Sequence, residues 1–519
     1  MKLAVSSTIS EIDAFCETKL GIPVQSLMEK SGIAVADAVR KAVPRGSTVL
    51  VLAGVGNNGG DGYAAACELK ADYDVKVYDV FGRGQKSEAG QFFLEKFRSM
   101  DGEILEYKAD ESFKSSVTSS DCVVDAIFGT GFAGEMPEPL RYLAITLREA
   151  VGVHKIAVDV PLGINPDDGS VSDFVVSVSS TVALSFIKPG IISYPARAYV
   201  GEIIYTDLGL PKKKIGESFS FRYHMIDDEM IAAKMPVREE NSNKGTFGKL
   251  LVITGSERYR GAAHLSCEAA LRGGVGLVTF LGAESLVGEL SQKYPEIIYK
   301  KKEIGDSLTA EDIEEICALS ASHSATLIGS GSDNTDGLLR LVTALLDTEG
   351  TPIILDADAI NALASIGTDG ILALKRAKRR VILTPHPLEF ARLVMSDVAT
   401  IQLHRIEASE KFAAENGVIL VLKGAGTIIT DGKLVYINVS GSSSLAKAGS
   451  GDVLAGFLAA FIAQNKCDPT IASALSVYFH AVAGQTLAGE FSAYGVTPSD
   501  LPKAIAREIA IATKSDDDI

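Results

Sequence analysis

Four short apolar runs, Val49–Ala53, Val75–Val80, Cys122–Ile127 and Ile156–Val160, each stop at a glycine- or proline-containing turn. A strand buried on both faces reads as such a run, and helix-compatible segments lie between the first three. The pattern therefore predicts an α/β fold, a parallel sheet covered by helices on both sides. Two helices are expected ahead of it, from the capping-box spacing of Thr8 and Glu11 and the helical recurrence of Leu27, Met28, Val35 and Val39. Sites in such sheets gather where the strands end. The loops Gly54–Gly62, Gly129–Glu135 and Pro161–Gly169 should thus converge.

The polar segments Pro211–Ser218 and Arg238–Lys244 interrupt this alternation, which restarts with Lys249–Thr254 and continues through Ala325–Ile328, Ile353–Leu355, Val381–Leu383 and Val418–Leu422. A second α/β domain is expected from about residue 224 to the end. At 519 residues the chain is too long for one ordinary core. A formal charge of −16 speaks against broad binding to nucleic acid or anionic membrane, so any phosphate must be held locally by helix ends and a few lysines. Cys16, Cys67, Cys122, Cys267, Cys317 and Cys467 are scattered without a CxxC pair, which fits neither a zinc site nor a disulfide framework and points to a reducing, cytoplasmic compartment. The run Val453–Ala463 is too short to span a bilayer, and a soluble protein is expected.

Gly54, Gly56 and Gly59 spell the GxGxxG pattern of dinucleotide-binding turns. Its side chains are wrong for that purpose: Asn57, Asn58 and Asp61 occupy the turn, and a carboxylate at a helix start repels phosphate. Amide oxygens beside a carboxylate suit a cation or a neutral polar group. The competing reading makes Asp61 the cap of a helix from Gly62 to Lys70. Asp125 and Asp159 also stand at strand ends, and three convergent carboxylates are disposed to bind cations or move protons.

The strings LMEKSG, GNNGGDG, DAIFGTG, DVPLGI and KPGIISYPARAYVGEIIYTDLGLP, in that order over residues 1–215, resemble the epimerase domain of the NAD(P)HX repair enzymes, a Rossmann-like three-layer αβα domain. The resemblance implies that Asn57, Asn58, Gly59, Gly60 and Asp61, with Gly129, Thr130, Gly131, Phe132, Ala133, Gly134 and Glu135, line the pocket for the hydrated nicotinamide nucleotide. It further implies that Asn58 and Asp125 hold a potassium ion and that Asp159 contacts the substrate, where it is the candidate proton-transferring group at C6. The family pattern reads DVPSG, with the serine hydroxyl on potassium. Here Leu162 stands in its place, so only its backbone carbonyl or a water is left to serve.

In the second half, AGSGDVLAG sets Asp452 after Gly449 and Gly451 and before an apolar helix. Amide N–H groups at that helix start can stabilise a transferring phosphoryl group while the carboxylate takes a hydroxyl proton. The other reading makes Asp452 a simple N-cap. Lys423 and Thr427 follow a strand in LKGAGTIIT, where an ammonium and a hydroxyl can meet phosphates, and His386 sits between two prolines. With KGTFGKLLVITGSERYRGAAHLSCEAALRGGVGLVTF and LDADAINAL, these strings resemble the ribokinase-like dehydratase domain of the same repair family across residues 224–515. The resemblance implies substrate contacts from Ala263, Gly331, His386 and Asp452, and adenine-nucleotide contacts from Lys423, Gly424, Ala425, Gly426, Thr427 and Gly451. Mg²⁺ with ADP or ATP would phosphorylate the C6 hydroxyl, and the ring nitrogen would then expel phosphate to restore NADH or NADPH. The family's habit implies a homo-oligomer, a tetramer or larger. Two alternatives stand beside this: a ribokinase-class small-molecule kinase, and a first half that is a binding scaffold without catalysis. A dehydrogenase is disfavoured because nothing supplies a hydride-transfer site.

Overall fold

The computed structural model describes residues 1–82 and 86–514. Their contacts divide into two compact units that meet in the chain between Tyr223 and His224, with Met1 grouped in the second. Residue 515, the expected end of the second domain, lies outside the described residues.

In the first unit, strands β1 (Thr48–Ala53), β2 (Asp74–Asp79), β3 (Glu103–Glu106), β4 (Cys122–Ala126), β5 (His154–Val158), β6 (Ser180–Leu184) and β7 (Glu202–Thr206) form a seven-stranded parallel sheet in the order β3-β2-β1-β4-β5-β6-β7. The order reverses direction at β1, and the cleft beyond its carboxyl end lies at that switch. Alternate residues of β1 face opposite layers: Val49, Val51 and Ala53 join one apolar cluster and Leu50 and Leu52 another. Helices cover both faces, which is why the strand reads as an unbroken apolar run.

The glycines after β1 serve close packing. A Cβ on Gly54 would stand 1.9 Å from the carbonyl oxygen of Ile127, and one on Gly59 would stand 2.0 Å from that of Gly54. The helix Gly56–Leu69 therefore lies directly against the strand ends, and Asp61 falls inside it rather than at its start. The capping role considered for Asp61 is thereby removed. Thr8 and Glu11 likewise fall inside the helix Ser6–Leu20 and do not open it. Gly54→Ala is expected to cost about 1–3 kcal/mol or more, because backbone on both sides of the clash is fixed by the sheet; a thermal unfolding series measures it.

The second unit repeats the architecture with its own order. Strands β8 (Lys249–Ile253), β9 (Leu277–Gly282), β10 (Ile298–Lys301), β11 (Ala325–Ile328), β12 (Ile353–Leu355), β13 (Val381–Leu383), β14 (Ile419–Leu422), β15 (Ile428–Thr430) and β16 (Val435–Ile437) run in the order β16-β15-β14-β13-β12-β11-β8-β9-β10. Pairing is parallel from β10 to β14 and antiparallel from β14 to β16. Leu250 and Val252 face one cluster, Leu251 and Ile253 the other. Among the described residues one helix, Pro469–Gly495, is long and apolar enough to cross a membrane, longer than the apolar run Val453–Ala463; 67% of its most apolar stretch is buried, and its residues join the core of this unit.

Candidate functional sites

The first unit holds a cavity of about 340 Å³ at the carboxyl ends of β1, β4, β5 and β6. Asn57, Asn58 and Asp61 line it from the helix Gly56–Leu69, and Gly129, Thr130 and Gly131 line it from the loop after β4. Asp159 lines it from the end of β5. Gly59 and Gly60 are buried in the helix, and Phe132 packs into the core beneath the loop. Neither Phe132 nor the exposed Ala133, Gly134 and Glu135 reach the cavity wall, and the loop Pro161–Gly169 stays behind it. Two of the three expected loops converge.

Asp159 has a φ of +69°, a conformation that L-residues other than Asn and Asp seldom adopt. Its carboxylate is fixed by two partners: Lys188 Nζ, in a buried ion pair, and the N–H of Leu184 at 3.2 Å. Lys188, 1% exposed, also donates to the Leu184 carbonyl at 3.1 Å. Asp13, from the helix Ser6–Leu20, lines the same cavity, and burial pushes its carboxyl up to about 6. Burial raises Asp61 as well, helped by Asp159 and opposed by a hydrogen bond from Ser31. Lys188 lay within a quoted motif without being singled out. Asp13 carried no signal beyond its helical register.

Asn58 ties two strand ends together: with its amide turned to satisfy both neighbours, it donates to the Val158 carbonyl and accepts from the Gly129 N–H, each at 3.1 Å. Asp125 lies behind it, 3% exposed, and accepts from the N–H of Leu162 at 2.8 Å and of Ile127 at 3.3 Å. Burial pushes its carboxyl up to about 6, against the pull of those two donors. Leu162 thus faces Asp125 through its N–H. Its carbonyl accepts from Val176 at 3.1 Å and its side chain is packed in the core, so the carbonyl expected to stand in for a serine is engaged elsewhere.

In the second unit, Asp452 lies in the first turn of the helix Ser450–Ala463, whose cap is Gly449 at φ +99°. The cap carries no side-chain bond, so Asp452 is no N-cap. Ser450 donates its N–H to Lys447, whereas the N–H of Gly451 has no acceptor among the described residues. Burial, and next the Asp356 carboxylate, push the Asp452 carboxyl up to about 7. His480 holds this turn from the helix Pro469–Gly495: its Nε2 lies 3.1 Å from the Ser450 carbonyl, and burial lowers it to about 4, so the neutral ring donates.

A side chain on Gly451 would meet Lys423 Nζ at 3.4 Å, which places that ammonium at the helix start. Lys423 pairs with Asp356 at 3.0 Å, and Asp356 also accepts from Ser330 and Thr384 at 2.8 and 2.7 Å. Arg405, buried, donates to the carbonyls of Leu422 and Lys423 at 3.1 and 3.2 Å and so shapes the loop through Gly424, Ala425, Gly426 and Thr427. His386 does cap a helix: its Nδ1 accepts from the Glu389 N–H at 3.2 Å, and Glu389 answers on the His386 N–H at 2.7 Å. Burial first, then Lys423, lowers its pKa and keeps the ring neutral. Gly331, at φ +60°, lies against Tyr259 and Ala262. Ala263 is 0% exposed beneath Gly255, so the substrate contact expected of it has no surface to act through. Asp356, inside the string LDADAINAL, and Glu389, three residues after His386, are the acidic groups sequence reasoning passed over.

The folds and sites define a chain that joins a Rossmann-like αβα unit, with a carboxylate-lined cavity, to a ribokinase-like unit with an aspartate at a glycine-led helix start. A family model described as YjeF-related protein N-terminus matches residues 24–190, and one described as NAD(P)H-hydrate dehydratase matches residues 250–507. The bifunctional NAD(P)H-hydrate repair enzyme of Moorella thermoacetica is 31% identical over 518 residues, 96% of this chain and 95% of its own. That of Thermofilum pendens is 32% identical over 519 residues, 97% of this chain and 96% of its own. Among solved structures, an ADP/ATP-dependent NAD(P)H-hydrate dehydratase from Bacillus subtilis, co-crystallized with ATP/Mg²⁺, aligns at 28% identity and a TM-score of 0.49, over 56% of this chain and 98% of that one. The chain belongs to the family of bifunctional NAD(P)H-hydrate repair enzymes.

Proposed function

We propose that the chain restores hydrated NAD(P)H in two steps: the first unit interconverts the R and S epimers at C6, and the second dehydrates the S epimer at the expense of a nucleotide. One observation carries the second step. Asp452, raised to about 7, stands beside Lys423 and the Gly451 N–H, which has no acceptor among the described residues. Hydroxide is a poor leaving group, so the C6 hydroxyl is first phosphorylated, with Asp452 accepting its proton. The N–H of Gly451, the Lys423 ammonium and the loop to Thr427 hold the phosphates of ADP or ATP, and His386 and Gly331 face the substrate. The ring nitrogen's lone pair then expels phosphate as the C6–O bond breaks, and loss of a proton from C5 to solvent turns the resulting iminium into the C5=C6 double bond of NAD(P)H.

Asp356, Glu389 and Asp452 all act on the one ammonium of Lys423, so three carboxyls share a single counter-charge, and burial holds Glu389 and Asp452 toward their neutral forms where no further cation offsets them. That donor set fits Mg²⁺, which when bound neutralises nucleotide phosphate oxygens. The expected result is that S-NADHX regains NADH absorbance only with ADP or ATP and Mg²⁺, while R-NADHX is consumed at a rate that depends on Asp159. Equal recovery without nucleotide overturns the dehydratase reading. Equal use of R by a chain carrying Asp159→Ala overturns the epimerase reading.

For the first unit we propose a potassium ion held by Asn58 and Asp125. The fit is partial: a buried carboxylate without a cation supports it, and the missing oxygen at Leu162 weakens it. Exchange of K⁺ for tetramethylammonium should therefore slow epimerisation, and Leu162→Ser should lower the K⁺ concentration for half-maximal rate. An unchanged rate in both salts removes the ion from the reading. A homo-oligomeric state and cytoplasmic residence belong to the same proposal; the first rests on the family resemblance and the second on the scattered cysteines.

A further inference from the structure

The cavity of the first unit holds more proton-carrying groups than its ion pair accounts for. Asp159 and Lys188 satisfy each other, while Asp13 and Asp61 line the same space, and neither makes an ion pair among the described residues. The two differ in access. Asp61 sits within the helix Gly56–Leu69 at 8% exposure. Asp13 projects from a separate helix, Ser6–Leu20, and is only half-buried. A group that exchanges protons with a bound substrate must reach it, and Asp13 meets that requirement better.

We propose that Asp13 is a catalytic acid–base residue of the C6 epimerisation, acting together with the Asp159–Lys188 pair through opening and reclosure of the nicotinamide-derived ring. This rests on the epimerase reading above. In the hydrated ring, C6 carries a hydroxyl and is bonded to the ring nitrogen, so it is a carbinolamine. The Asp159 carboxylate takes the hydroxyl proton, the C6–O bond becomes a carbonyl, and the C6–N bond breaks with its electron pair passing to nitrogen. Asp13 delivers a proton to that nitrogen. Rotation about C5–C6 turns the other carbonyl face inward. The nitrogen adds back, its proton returns to Asp13, and Asp159 returns the proton to oxygen. Nothing is oxidised, and no co-reactant is consumed.

Electrostatics supports the division of labour. Burial raises the Asp13 carboxyl to about 6, Lys188 opposes the rise and Asp159 reinforces it. The groups facing Asp13 are Lys188, Asp159 and Asp61, with the Cys16 thiol on its own helix. Near neutral pH Asp13 is thus available in both protonation states.

The test uses the full chain and purified epimers of NADHX without nucleotide, following R-to-S conversion by chromatography. Asp13→Asn should lower kcat by about 100-fold or more and leave KM within about threefold, and Asp13→Glu should recover part of the loss. Wild-type kcat should fall as pH rises through about 6, and Asp13→Asn should flatten that limb. The wild-type pH profile and oxygen labelling decide the matter even if the variants fail to fold. A wild-type profile with no ionisation between about pH 5 and 7 overturns the proposal, as does entry of solvent ¹⁸O at C6 once per turnover, because hydroxide would then be leaving while the ring stays closed. An Asp13→Asn kcat within about threefold of wild type also overturns it. A wild type no faster than free substrate overturns the epimerase reading itself, and this assignment with it.

Discussion

Asp452→Asn should abolish nucleotide-dependent recovery of NADH from the S epimer, lowering kcat by roughly 10³-fold while the KM for nucleotide changes little. The amide keeps the shape of the side chain but cannot take a proton from the C6 hydroxyl. A loss confined to kcat marks a group that acts in the transition state, whereas a structural cap would show as lost stability with activity retained in the folded fraction. The pH dependence carries the same sign. A base raised to about 7 is lost as pH falls through that value, so wild-type turnover should decline below about pH 7. Stability moves the other way. The folded pKa lies above the ordinary carboxylate value, so the ionised side chain destabilises the fold progressively from the ordinary range up to about 7 and fully above it. Asp452→Asn should therefore raise the melting temperature at pH 8 while removing activity, a combination expected of residues kept for chemistry. A variant that retains turnover within about threefold of wild type would remove Asp452 from the mechanism.

Lys188→Met should destabilise the first unit by about 3–5 kcal/mol, because it leaves the Asp159 carboxylate buried without its counter-charge. The ammonium is 1% exposed and bonded to both Asp159 and the Leu184 carbonyl, so solvent screens neither contact. Lys188→Met with Asp159→Asn should be markedly more stable than Lys188→Met alone, because the stranded charge is then gone. Urea unfolding of the full chain measures both, with the first unit's transition analysed separately where the two units unfold apart. A loss below about 1 kcal/mol would mean that the pair is solvated in solution.

The elements that chemistry makes most one-sided were legible in the sequence. Val49–Ala53, Cys122–Ile127, Val381–Leu383 and Val418–Leu422 are buried on both faces, and the observed strands agree with these runs to within a residue. Edge or alternating strands such as Glu103–Glu106, Glu202–Thr206 and Ile298–Lys301 were not, because their polar residues face solvent and erase the run. Asn57, Asn58 and Asp61 were legible as a polar pocket because their side chains are wrong for phosphate. Asp125 and Asp159 were legible because a carboxylate at the end of a buried strand has few structural reasons to be there.

The sequence by itself thus determined two α/β units, the glycine-led turns and the carboxylates that end their strands, since each is a local consequence of which residues alternate, bend or carry charge. Only tertiary structure decided that Lys188 and Asp13 share a cavity with Asp159, that Leu162 turns its N–H toward Asp125, that Asp356 pairs with Lys423, and that His480 holds the turn bearing Asp452. Those pairings join residues far apart in the chain through the packing of separate helices and strands. No local pattern encodes them, because the energy that fixes them is the cost of burying a charge or an amide without a partner.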